Sequence, residues 1–406
     1  MTAVEVHAPL APSSAPQWAN CSGSVMANAH VPDSEAPRTR AGTASHWVCS
    51  EGLEQFKLNG LNSCAADDWI GKVAPNGVVI DDEMAQGAQV FIDNASEIIE
   101  RHDALQLILV EQVVKMPHIH PQNYGTLDLA IPLLEYERVN ENVDRVRCGK
   151  IYLLDYKFGH RECRAFGNYQ LIDYLEGLVD MYGIDTEAEQ FIEVEFQIVQ
   201  PFCYQARDKI SIWKESIANL RGYVNQMIAK AQEAFNKPSF SSGPWCRDCK
   251  AIHRCQTAQK GNYSLIDYVN DPCVILNMNG SDLATERAIL EQGLIVAKAR
   301  KEALDEELKH RIGKGEAADS GLALEAAYGN LGWDVPKGQA IALASMFKVD
   351  ANKADILTPT QTIAKASKEM KPLLKQAMKN ISSRPPKGLK LIEAKDSFTA
   401  RAFTSK

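Results

Sequence analysis

The chain has no stretch near the roughly 18 apolar residues that a membrane-spanning helix needs. Its opening, MTAVEVHAPLAPSSAPQW, lacks the basic start and apolar core of a secretory leader. These absences argue for a cytosolic protein with no membrane partner. Ten cysteines are too dilute among 406 residues for a secreted disulfide scaffold, and in a reducing compartment a tight subset is better suited to metal. No internal repeat is visible, so no repeat architecture is expected. A surplus of positive charge is also missing, and the formal charge of −8 argues against indiscriminate binding to nucleic acid.

What is present is ordinary in bulk: 45 % hydrophobic and 24 % charged residues suit a globular chain that buries a core in two or three domains. The charge is uneven. Residues 361–406 hold eleven Lys or Arg against Glu369, Glu393 and Asp396, a local +8 that leaves −16 on the first 360 residues. A basic tail on an acidic body suits an anionic partner or a solvated end.

Residues 1–40, rich in Pro, Ala and Ser, read as a surface-wrapping segment with little regular structure. A helix is expected from Gly42, with Thr43 as N-cap and Trp47, Leu53 and Phe56 as apolar positions, and another over 82–101. LQLILVEQVVKM (105–116), YGTLDLAIPLL (124–134), GKIYLLDYKFG (149–159) and FIEVEFQIVQPF (191–202) read as strands, with helices over 165–182 and 216–235. EYERVNENVDRVRC is polar enough for a hairpin loop. This order predicts an α/β fold with a central mixed sheet flanked by helices. KPSFSSGPWCRDCKAIHRC closes a first domain, 1–262. A linker and long helix follow over 263–313, with Leu290, Leu294, Ala297, Leu304 and Leu308 on a stripe that Lys301 interrupts, better suited to packing than to a coiled coil. Residues 314–406 read as a small, mainly helical C-terminal region with a helix over 359–381 and the basic tail.

In YLLDYKFG (152–159) an apolar strand ends in Asp155 and Lys157, which period two places on one face. Antiparallel pairing with the preceding strand can set Asp128 beside Asp155, and such carboxylates repel unless a cation or a shared proton intervenes. Mg²⁺ answers that repulsion, because one or two carboxylates hold it while water and substrate phosphate complete its shell. Such a site suits phosphodiester hydrolysis, with Lys157 placed to orient or deprotonate the nucleophile. Taken alone, D-x-K is a common triplet and equally a strand-end ion pair. Gln170 and Tyr174, at i and i+4 on the next helix, share a polar face apart from Leu171, Leu175 and Leu178. His46 can supply a nitrogen ligand, although a lone helical His is more often structural.

The ordered set GTASH (42–46), Glu111 in LVEQ, GTLD (125–128), DYKFG (155–159) and QLIDY (170–174) resembles the RecB-like branch of the PD-(D/E)XK nuclease superfamily. That branch includes cluster-bearing CRISPR-associated nucleases and phage exonucleases, and the likeness spans roughly residues 12–258. SSAPQWANCSGSV is similar to the start of a phage and prophage family with this core. The resemblance implies a restriction-endonuclease-like core and a metal-dependent nuclease. By it, His46, Asp128, Asp155 and the carbonyl of Tyr156 bind Mg²⁺ or Mn²⁺, and Lys157 is catalytic. Gln170 and Tyr174 support the site and contact DNA, and Glu111 lies near a second metal. The third-motif acid is Asp where some relatives have Glu.

Cys246, Cys249 and Cys255 form C-x2-C-x5-C, a spacing that suits a bound metal with a fourth ligand from elsewhere. The same resemblance implies Cys21 as that ligand and a [4Fe-4S] cluster that staples the start of the chain to the end of the nuclease unit. Zn²⁺, with His253 as a nitrogen ligand, is the alternative, and Cys49 and Cys273 are less favoured fourth ligands. Cys64, Cys148, Cys163 and Cys203 read as small buried residues.

Arg145, Arg147, Lys150, His160, Arg161 and Arg164, with His118 and His120, could line a phosphate track or simply a solvated hairpin. The leading expectation is a metal-dependent DNA exonuclease for recombination, repair or phage genome processing, acting on DNA and with a recombination or single-strand-binding protein as a possible partner. The alternatives are an inactive cluster-bearing DNA-binding or scaffold protein of the same fold, and an unrelated hydrolase using two carboxylates as acid and base.

Overall fold

Five apolar runs pair into one mixed sheet in the order β1-β2-β3-β4-β5. They are β1 (Leu109–Lys115), β2 (Tyr124–Glu137), β3 (Val146–Tyr156), β4 (Ile192–Val199) and β5 (Ile210–Ser216). The computed structural model describes residues 8–29, 31, 37–59, 65–137, 146–204, 208–270, 279–351, 356–394 and 397. Helices α1 (Ala15–Trp18), α2 (Gly23–Asn28), α3 (Pro37–Asn59) and α4 (Asp82–His102) precede the sheet. All strand neighbours are antiparallel except β3 and β4, which α5 (Tyr169–Tyr182) joins, since parallel strands need a long crossover. Helices α6 (Arg221–Asn236), α7 (Gln256–Asn270) and α8 (Gly280–Gly313) follow. The chain divides into two units, Met1–Arg300 and Lys301–Lys406.

Alternation along β3 sends Ile151 and Leu153 to one core and Tyr152, Leu154 and Tyr156 to the other. The first core adds Leu171, Leu175 and Leu178 of α5 and Val224 and Met227 of α6; the second adds Val48, Leu53 and Phe56 of α3 and Phe91 and Ile92 of α4. Each such buried side chain contributes about 1.5–3 kcal/mol. Helix ends follow local chemistry. Asp81 caps α4 by accepting from Met84 N at 2.9 Å, and Asn168 caps α5 by accepting from Gln170 N at 2.9 Å. Gly183 closes α5 at φ 56°, a left-handed C-cap that suits glycine.

Several expectations change. The opening segment is embedded rather than draped: Leu10, Ala15, Trp18 and Ala19 are fully buried in the first core, because α1 packs against α5 and α6. Helix α3 starts at Pro37, so Thr43 lies inside it and its hydroxyl donates to Thr39 O at 3.2 Å instead of capping. Strand β5 was not foreseen, and its pairing with β4 delays the next helix to Arg221. The leucine stripe of α8 is turned outward at Leu290, Leu294 and Leu304, while Val296 and Ala299 are buried. Of the hairpin loop expected over 135–148, residues 135–137 and 146–148 are strand, and residues 138–145, with Arg145, lie outside the described residues, as do Cys64 and Cys273. Cys203 is buried, but Cys148 and Cys163 are only half-buried.

In the second unit the helix expected over 359–381 is broken. After β6 (Leu322–Tyr328), β7 (Gly332–Trp333) and α9 (Lys337–Met346) come α10 (Pro359–Lys365) and α11 (Met370–Ala377), then β8 (Ser382–Ser383) and β9 (Pro386–Glu393). β6 pairs with β9 and β7 with β8, two ribbons beside a mainly helical region whose core gathers Ala344, Val349, Leu357, Leu374 and Met378. Among the described residues no helix is long and apolar enough to cross a membrane.

Candidate active site

The β2–β3 ladder pairs Leu129 with Leu154, and one step further its register sets Asp128 across from Asp155 at the strand end. Asp128 Oδ2 accepts from Tyr156 N at 2.7 Å and lies 3.4 Å from His46 Nδ1 of α3. On the α5 side of the sheet, Lys157 Nζ donates to Asp155 Oδ1 at 3.2 Å and to Gln170 Oε1 at 3.1 Å, and Gln170 Nε2 donates to Asp155 Oδ1 at 2.9 Å. Asp155, 2 % exposed, keeps Oδ2 at ion-pair distance from Lys157, 2.9 Å, but outside hydrogen-bond geometry. That oxygen is buried and available to a further ligand.

Glu111 completes the group from β1. The β1–β2 register pairs Val110 with Leu129 and Gln112 with Leu127 and omits the step between, where Glu111 faces Asp128. Glu111 has φ 46°, a left-handed conformation that costs a non-glycine residue about 1–3 kcal/mol and marks sites whose geometry matters. One ligand atom each from His46, Glu111 and Asp128 lies within 4.8 Å of the others. Two carboxylates and an imidazole form a donor set for a divalent ion, the carboxylates suiting a hard cation and the imidazole favouring a transition metal. Asp155, expected as a ligand, stands outside that trio and is engaged with Lys157 and Gln170.

Charges in the site hold one another. Burial and then the Asp128 charge raise Glu111 to about 7. Burial disfavours protonated His46, yet Asp128 outweighs it and His46 sits above its usual value. Asp128 is correspondingly low: burial opposes ionisation, and the charge and hydrogen bond of His46 prevail. Asp155 is raised, chiefly by burial, against the pull of Lys157. Burial opposes the Lys157 charge too, but Asp155 and Asp128 raise it above its usual value, so it is an ammonium here. Tyr174 is buried beside the site and burial, then Asp155 and Asp128, raise its phenol, which keeps its proton. Gly125 admits that ring: a Cβ there would meet Pro12 Cδ at 2.7 Å and Tyr174 Cε1 at 3.3 Å.

The profile of a family described as a protein of unknown function, DUF2800, matches residues 7–292. The chain belongs to the DUF2800 family. The DUF2800 match takes in the acidic site and all four cysteines of the sequence pattern.

Within this DUF2800 region, Cys21, Cys246, Cys249 and Cys255 line one cavity of about 350 Å³. Hydrogen bonds already join its walls: Asn28 Oδ1 accepts from Cys249 Sγ at 3.5 Å and from Ala251 N at 3.2 Å, and Ser241 Oγ donates to Asn20 O at 2.6 Å. A single Zn²⁺ holds four thiolates about 3.8 Å apart at its 2.3 Å bond length. Among the described residues no three cysteine sulfurs lie within 4.8 Å of one another. The shared cavity brings the four cysteines together without a metal-holding arrangement among the described residues. His253 does not line this cavity, and Cys49 sits by the acidic site, where burial and then Asp128 raise its thiol.

The cations expected on a phosphate track are occupied. Lys150 pairs with Glu193 at 2.8 Å and Glu195 at 2.7 Å, five residues up β3 from Asp155 and so about 16 Å from the strand end, which removes it from the site. Arg161 pairs both nitrogens with Asp248, at 2.7 and 3.1 Å, Arg164 pairs with Glu162 at 2.9 Å, and His118 binds Glu176 at 2.7 Å. Sequence reading missed Gln200, 5 % exposed, whose Nε2 donates to the carbonyls of Gly159 and Arg161 and whose Oε1 accepts from Cys163 N at 3.0 Å. Its signal was a polar residue closing the apolar run FIEVEFQIVQPF.

Proposed function

We propose that the chain is a divalent-metal-dependent DNA exonuclease that hydrolyses phosphodiester bonds and processes DNA ends in recombination, repair or phage genome metabolism. The observation that carries this reading is the convergence of Asp128, Asp155, Lys157 and Gln170, from β2, the end of β3 and α5, with His46 and Glu111 beside them. This agrees with the likeness to RecB-like PD-(D/E)XK nucleases, which favours exonuclease over endonuclease action.

His46, Glu111, Asp128 and Asp155 are the residues to hold Mg²⁺ or Mn²⁺. A bound divalent ion supplies Lewis acidity and lowers the pKa of an attacking water. Lys157, held as an ammonium between Asp155 and Gln170, presents positive charge to a scissile phosphate and stabilises the charge that develops on it. Gln170 fixes both Asp155 and Lys157, and Tyr174 offers a phenol proton at the same end of the sheet. By the resemblance, Cys21, Cys246, Cys249 and Cys255 would hold a [4Fe-4S] cluster, with Zn²⁺ as the alternative.

End-labelled linear DNA and circular DNA, incubated with anaerobically prepared protein and Mg²⁺ or Mn²⁺, test the reading. Release of label from linear DNA with the circle left intact supports it. DNA binding without cleavage points instead to an inactive DNA-binding or scaffold protein. The visible spectrum of the same sample tests the cluster, because zinc is colourless and [4Fe-4S] absorbs broadly at roughly 400 nm.

A further inference from the structure

The loop between β3 and α5 holds out an apolar ring on a fixed support. Phe166 is 71 % exposed, yet Ala165 before it is fully buried and donates its N–H to Ser211 Oγ at 3.0 Å. Gly167 after it turns the chain at φ +63° into Asn168, the cap of α5. The ring packs on Trp213 with centroids 5.2 Å apart; Trp213 lies 6.0 Å from Tyr223, and Tyr223 lies 5.7 Å from Tyr169. All three of these partners are partly accessible. The sheet register sets Asp155 level with Ile198 and Ile198 with Ser211, so the anchor of this loop lies two strands, about 10 Å, from Asp155 at the same end of the sheet.

The geometry points to a base-stacking subsite: Phe166 and Trp213, backed by Tyr169 and Tyr223, take unpaired bases of the DNA strand whose phosphates reach Lys157. This rests on the proposed nuclease reading. A lone exposed Phe is commonplace, but this one follows a buried, hydrogen-bonded residue, packs on a connected set of rings and lies at the same end of the sheet as the site. Ring faces stack on any base, and only unpaired bases offer their faces. Arg161 and Arg164, exposed and paired with Asp248 and Glu162, flank the rings on the same loop. The ligand is a single-stranded DNA end whose bases stack on the rings.

Fluorescence anisotropy in EDTA, with a labelled oligo-dT of about 15 nucleotides and a blunt duplex of equal length, tests this with the full chain. Phe166→Ala lowers affinity for the single strand by about 5- to 150-fold and changes duplex affinity less. Phe166→Trp retains binding, and Phe166→Leu, which keeps apolar bulk without a π face, loses it as Ala does. Equal affinity in wild type and Phe166→Ala, full rescue by Leu, or no single-strand binding by the wild type overturns the subsite. The two readings fail separately: a chain that cuts linear DNA while Phe166→Ala binds normally keeps the nuclease and loses the subsite. A chain that cuts nothing but binds oligo-dT through Phe166 does the reverse.

Discussion

Glu111→Gln isolates the group whose protonation most sharply reports the site. Glu111 is raised from 4.5 to about 7 by burial and by Asp128. Its folded pKa lies above its unfolded one, so its contribution to stability is complete below pH 4.5 and is lost as the pH rises through about 7. The full shift corresponds to at most about 3 kcal/mol, which water around this half-exposed side chain cuts to about 1–2 kcal/mol. Without metal, the stability of Glu111→Gln relative to wild type should therefore improve by that amount between pH 4.5 and 8. His46 and Asp155, also raised, and Asp128, lowered, titrate in both proteins and largely cancel in the difference. Mn²⁺ reverses the slope, because the ion binds the carboxylate: ionised Glu111 grows from about a tenth at pH 6 to about nine tenths at pH 8, so Glu111 alone raises affinity about tenfold, and His46 and Asp155, also raised, add to it. Urea titrations at five pH values and calorimetric Mn²⁺ titrations at pH 6 and 8 read both effects. Parallel stability curves for the two proteins, or a wild-type Mn²⁺ affinity that is flat with pH, would refute the reasoning.

Other outcomes follow from the same contacts. Gln200→Leu, which keeps bulk but removes three hydrogen bonds to the backbone of residues 159–163, should lower kcat about tenfold with a smaller change in DNA affinity, separable by single-turnover and binding assays. Asp173 is fully buried, and burial holds its carboxyl well above the usual range while Asn123 Nδ2 donates to it at 2.8 Å. Its contribution is thus lost as the pH rises through that raised value, and Asp173→Asn should flatten the loss of stability with rising pH in urea titrations. The pair Arg161–Asp248 is exposed on both sides, so a double-mutant cycle on stability should give a coupling under about 1 kcal/mol.

The sequence made the central strands legible because their apolar runs are long and end in marked residues. Asp155 and Lys157 leave β3 together by strand period alone, and the register then brings Asp128 opposite. Gln170 and Tyr174 were legible from i, i+4 spacing on α5. The left-handed backbone at Glu111 was not, because no local pattern announces a positive φ at a glutamate. Strand β5, ISIWKES, alternates weakly and is stabilised by pairing with β4, a long-range effect that propensity does not register. The opening segment read as loop because Pro, Ala and Ser disfavour regular structure, whereas burial of Leu10 and Trp18 against α5 and α6 decides its place. Sequence spacing likewise does not reveal that Glu193, Glu195, Asp248 and Glu162 come to pair with Lys150, Arg161 and Arg164, the charges expected to meet phosphate.

The central claim is that the Asp128, Asp155 and Lys157 group cuts DNA, and single-turnover cleavage of end-labelled linear DNA in Mg²⁺ measures it most directly. The account predicts metal-dependent release of label by the wild type. Lys157→Met and Asp155→Asn should each fall by about 10²–10³-fold while still binding the same DNA. Undiminished cleavage in both variants would contradict it.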